Sequence, residues 1–135
     1  SDSLGKTYKV TLHKGKTPEQ YYYLNWYDKI TPQVNDKLIA QAKKEGVLHE
    51  RNGKTPVIRK AQTGAYFVTN DITIEELYHD LSQAFGSAKE ASLFLIRCGI
   101  DGIRYPAESL SGVSDSRGFN YVVFDENNVS INDNN

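Results

Sequence analysis

Apolar residues recur along this chain with two different periods, and the changes of period mark out its elements. Over residues 8–12 they alternate, with Tyr8, Val10 and Leu12 on one side and Lys9 and Thr11 on the other. Strict alternation of this kind predicts a half-buried strand near 7–13. A polar turn follows, and residues 21–26 are then dense in aromatics, which favour extended backbone. From Thr31 the period lengthens to that of a helix. Thr31 stands at the N-cap, Pro32 at the first helical position, and Val34, Leu38, Ile39 and Ala42 make a stripe that Gly46 ends. This predicts a helix over 32–45.

The pattern is weakest over residues 47–64, where Asn52-Gly53 signals a turn and Val57-Ile58 a short strand after it. Residues 66–68 fit either a helix or a strand. Thr73 and Glu76 have the spacing of a capping box, and Ile74, Leu77, Tyr78, Leu81 and Phe85 line one face up to Gly86. Ser87 and Glu90 repeat that signature ahead of Ala91, Phe94, Leu95 and Cys98. Helices near 73–85 and 87–98 therefore meet at a Gly-Ser corner. Strands are predicted near 100–105 and 119–125, with a Ser- and Gly-rich loop between them that could act as a lid over a cleft. Val129 and Ile131 suit a short returning edge. Strands, then helices, then strands describe an α+β domain with a mixed or antiparallel sheet flanked by short helices.

Length and composition narrow the class. At 135 residues the chain suits one domain, able to bury about two thirds of its unfolded surface. It does not begin with Met, and is expected to be a piece of a longer polypeptide. Its 16 basic and 17 acidic side chains nearly balance, which makes nucleic acid an unexpected partner except at a local patch. No apolar run is long enough to span a membrane. The single cysteine, Cys98, excludes an internal disulfide and fits the reducing cytoplasm. Its apolar helical setting suggests packing rather than reactivity.

Three blocks carry a family resemblance. They are Gly86-Ser87-Ala88-Lys89-Glu90-Ala91-Ser92, Gly99-Ile100-Asp101-Gly102-Ile103, and Asn120-Tyr121-Val122-Val123-Phe124-Asp125-Glu126-Asn127-Asn128-Val129-Ser130-Ile131. Together they resemble the C-terminal half of the ADP-ribosyltransferase-like domains found in the large polyvalent proteins of phages and conjugative elements. The strand over residues 8–12 and Tyr23-Leu24-Asn25-Trp26 resemble the middle of such domains. The resemblance implies the transferase fold and binding of nicotinamide adenine dinucleotide (NAD) as substrate, without a metal. An aromatic, here Tyr23 or Trp26, would stack on the nicotinamide, and Arg104 is the cation that can reach a phosphate. In the family a carboxylate stands just before a Tyr-Val-Val-Phe strand and stabilises the cationic transition state. Here that position holds Asn120, which carries no charge. The family's opening Arg or His strand should precede residue 8, so either the module is truncated or His13 serves. These two departures imply a degenerate, inactive transferase-like domain.

Other candidates carry less. Residues 21–27 could form a stacking platform, although alternating core and surface aromatics explain them as well. His49 and His79 lack metal-ligand spacing. Asp101, between two glycines, suits turn chemistry. The competing readings are a structural module that binds a host protein through residues 21–27, and a small α+β nuclease using His13 or His79 with Lys or Arg.

Overall fold

The structure is a computed structural model and describes residues 16–108 and 114–125. A short 3₁₀ turn, Pro18–Gln20, leads into strand β1 (Tyr23–Asn25) and helix α1 (Pro32–Glu45). A small antiparallel sheet follows, made of β2 (Leu48–Arg51), β3 (Lys54–Ile58) and β4 (Tyr66–Phe67). Helices α2 (Ile74–Phe85) and α3 (Ala88–Arg97) come next, and then strands β5 (Gly102–Glu108) and β6 (Ser114–Val123). β5 is the centre of a mixed sheet, parallel to β1 and antiparallel to β6. The protein is therefore α+β, with one mixed and one antiparallel sheet. The predicted strand over 7–13, the edge at Val129 and Ile131, and His13 lie outside the described residues.

The helices start where their caps dictate. The Thr31 hydroxyl accepts from the Val34 N–H at 3.3 Å, and Pro32 has no N–H to satisfy. Thr73 and Glu76 form both halves of the capping box. Ser87 accepts from the Glu90 N–H at 3.1 Å. Helix α1 ends at Gly46 in the left-handed region, φ 76°, where an L side chain is disfavoured.

Of the two forms that residues 66–68 fit, Tyr66 and Phe67 take the extended one, because Tyr66 pairs with Ile58 and Phe67 with Val57. One expectation changes. The loop after residue 105 is shorter than its Ser and Gly content suggests: β5 and β6 continue as a hairpin, with Glu108 opposite Ser114. Only part of the expected lid remains between them, and it falls outside the described residues.

The core is one cluster between the two sheets and the helices. Leu24 and Ile103 come from the mixed sheet, Phe124 from just past β6, Ile58 and Tyr66 from the antiparallel sheet, and Leu38, Leu77, Leu81, Phe94 and Leu95 from the helices. Each such side chain contributes about 1.5–3 kcal/mol by leaving water. Tyr78 fixes the α2–α3 corner: its ring stacks on Phe124 at 6.4 Å and its hydroxyl meets Ser92 Oγ at 2.7 Å. Among the described residues, no helix is long and apolar enough to cross a membrane.

Candidate functional site

Strand alternation gives the mixed sheet two different faces. Ile103 lies opposite Val122 and beside Leu24; all three are buried, Leu24 and Ile103 within the core cluster. Their neighbours must point the other way. Tyr23, Asn25, Arg104, Phe119 and Tyr121 therefore share the outward face. The register agrees, since Arg104 pairs with both Asn25 and Tyr121.

Arg104 is at the centre of this face. Its Nε donates to Asn25 Oδ1 at 2.6 Å, and its guanidinium lies over the Phe119 ring at 4.5 Å from the centroid. Both contacts restrain the guanidinium plane. No carboxylate pairs with it among the described residues. Tyr23 packs edge-on against Tyr121 at 4.8 Å, and Phe119 against Tyr121 at 6.2 Å. Burial, followed by its neighbours Tyr21 and Tyr121, pushes the Tyr23 phenol up to about 12, so it stays neutral. The result is a rigid cation beside half-exposed aromatic rings.

The other candidates lie elsewhere. Asn120 is exposed and pairs with Tyr105, so alternation puts it on the same side as Val122 and Phe124, opposite Arg104. Trp26 turns toward the core, where its ring meets Tyr78 at 6.2 Å. The aromatic run over 21–27 is thus dispersed: Tyr21 is buried, Tyr22 lies under Lys37, Tyr27 is exposed, and Tyr23 alone joins Arg104. Sequence reasoning found Tyr23 and Arg104 but missed Asn25, Phe119 and Tyr121. Only the register across the sheet brings those three in, and it pairs residues 79 apart in the chain.

Asp101 does more than terminate a turn. Only 3% of it is exposed, and its carboxylate accepts from the Tyr22 N–H at 2.7 Å and from Lys16 Nζ at 2.7 Å. Its own backbone bonds Tyr22 and Phe124. Its side chain and backbone together thereby join the start of β1, the start of β5 and the end of β6. Cys98 is pushed up to about 12, chiefly by burial, which fits a packing thiol.

Two clefts lie away from the mixed sheet. One, at the start of α2, includes Glu75, Glu76, His79 and Asp80. Burial, and then Glu76, raises the Asp80 carboxyl above its ordinary range. Among the described residues, no group of histidines, cysteines and carboxylates is placed to hold a metal ion. The second cleft, on the antiparallel sheet, is basic. Compared with protein-family models, with curated proteins and with solved structures, the chain matches none.

Proposed function

We propose that this chain is an ADP-ribosyltransferase-like domain of a phage or mobile-element protein that binds a dinucleotide without catalysing transfer. It works in the cytoplasm. The observation that carries this reading is Arg104, held between Asn25 and Phe119 with no carboxylate partner among the described residues, next to the Tyr23–Tyr121 pair. A fixed guanidinium suits a pyrophosphate, and adjoining aromatic rings suit a nicotinamide or adenine ring. The blocks around Gly99–Ile103 and Asn120–Ile131, with their family resemblance, favour NAD over other dinucleotides. Inactivity follows from Asn120. It has no negative charge, and it lies on the face opposite Arg104.

Calorimetric titration with NAD tests this. Binding should be measurable in the sub-millimolar range and weaken about tenfold or more in Arg104→Ala, with Asn120→Ala unaffected. NAD hydrolysis should stay at background, in the parent and in Asn120→Glu alike, because a carboxylate at 120 would stand across the sheet from the ligand. A tenfold rise in Asn120→Glu, worth about 1.4 kcal/mol, would instead join Asn120 to the binding face. Folded protein that gives no heat with NAD would discard the dinucleotide. The reading would then be a module that contacts a host protein through its exposed aromatics, Tyr27 and Phe119, which are 57% and 43% accessible.

A further inference from the structure

The antiparallel sheet presents a second face that the dinucleotide reading does not use. Leu48, Ile58 and Tyr66 lie side by side, and the latter two are fully buried. The adjacent row, His49, Val57 and Phe67, therefore lies on the opposite face of the sheet, where His49 and Phe67 are exposed and Val57 between them is covered. This row forms the floor of a cleft of about 540 Å³ bordered by Arg51, Arg59, Lys60 and Gln62.

Three properties set the cleft apart. It contains three cations and a histidine but no carboxylate. Its cations are also unneutralised by neighbours: among the described residues the ion pairs join Lys16 to Asp101, Lys29 to Asp71, Lys43 to Glu50 and Arg97 to Glu45. None involves Arg51, Arg59 or Lys60. Glu45, which senses the charge of Lys60, is already held at two points by Arg97. Finally, Phe67 is 52% exposed, with the Arg51 guanidinium 5.3 Å from its ring centroid. Arg51 is itself anchored by two bonds to the Thr55 carbonyl oxygen, at 3.1 and 2.8 Å. A half-exposed ring held beside a fixed guanidinium offers a stacking surface to a planar base. Arg59 and Lys60 follow on the chain and reach the same cleft, where they can meet phosphates.

The geometry points to a nucleoside-phosphate site on this sheet: the base stacks on Phe67 beside Arg51, and the phosphates lie on Arg59 and Lys60. An open cleft with one aromatic and three cations fits two or three consecutive nucleotides of a single strand. The near-neutral net charge of the whole chain opposes a broad electrostatic surface, not a local one such as this.

Fluorescence anisotropy with a short labelled oligothymidylate tests the site, with ADP and polyglutamate as competitors. The oligonucleotide should bind at low salt, and log K should fall with log[salt] at a slope of about −2, as expected for two or three phosphate contacts on a single strand. Phe67→Ala and the double variant Arg59→Ala/Lys60→Ala should each weaken binding about tenfold or more. All three positions are exposed, so the variants should melt with the parent, and circular dichroism checks that they do. Arg104→Ala should leave the oligonucleotide affinity unchanged, which separates this site from the dinucleotide face. ADP that competes as strongly as the oligonucleotide would identify free nucleotide as the source of the ligand, at the same residues. Three results would overturn the proposal: no binding at low salt, Phe67→Ala binding like the parent, or polyglutamate competing as well as ADP. The last two would reduce the cleft to plain attraction between opposite charges.

Discussion

Asp101 shows how much one side chain can organise. Its carboxylate is buried and accepts from a backbone N–H and an ammonium at once, so the ion is compensated where it lies. Asp101→Ala would leave the Tyr22 N–H and Lys16 without that acceptor at the junction of three strands. The expected loss is about 2–4 kcal/mol, near the range for breaking a buried charged network. Lys16→Ala should cost under about 1 kcal/mol, because its side chain is 30% exposed and water can replace it. Urea denaturation of both variants checks the contrast, and equal losses would refute the central role given to the carboxylate. Part of this was legible beforehand. An Asp among glycines signals a constrained backbone, and Arg104 could be assigned to the side opposite Ile103 from alternation alone. The partners could not be read: Tyr22 is 79 residues from Asp101 and Asn25 is 79 from Arg104. Pairing of that span is decided by tertiary packing.

At the scale of elements, local chemistry gave most of the boundaries. Helix α1 covers the predicted 32–45, and α2 begins immediately after its capping Thr73. Caps are written within four residues, which is why they can be read. The strands were harder, because a two-residue strand such as β4 has no period and exists only through its neighbour β3. The β5–β6 pairing carries a specific steric demand. A Cβ at Gly102 would run into the Val122 carbonyl and crowd the Val123 Cα, both backbone atoms that cannot turn aside. Gly46 has open space around it and only its left-handed φ to lose. Gly102→Ala should therefore cost about 1–3 kcal/mol through overpacking, with the loss centred on β5 and β6. Gly46→Ala should cost about 1 kcal/mol through backbone strain alone. Hydrogen exchange distinguishes them: amides of β5 and β6 lose protection in the first, and the end of α1 in the second. Undiminished protection of β5 and β6 in Gly102→Ala would show that the sheet can spread without cost.

At the scale of the whole molecule, the two sheets carry chemically different outward faces, aromatic around Arg104 on the mixed sheet and basic on the antiparallel one. Between the sheets, Glu45 and Arg97 tie α1 to α3 with bonds of 2.7 and 3.0 Å, and Gln41 adds a third donor to the same carboxylate. Burial alone would raise the Glu45 carboxyl, but the bonds from Arg97 and Gln41 prevail and hold it below its ordinary range. A carboxyl depressed in the folded state stabilises the protein above its unfolded pKa, near 4.3, and loses that contribution as pH falls through the lower folded value. Glu45→Gln should therefore be less stable than the parent near neutral pH by about 0.5–1 kcal/mol, a modest amount because Arg97 is 38% exposed and water screens the pair. As the medium is acidified past the ordinary glutamate range the gap should close, because the parent then carries a neutral side chain as well. Urea midpoints for both proteins across an acid-to-neutral series measure this directly. A gap that stays constant with pH would mean that Glu45 joins the helices by packing and neutral hydrogen bonding, with no contribution from its charge.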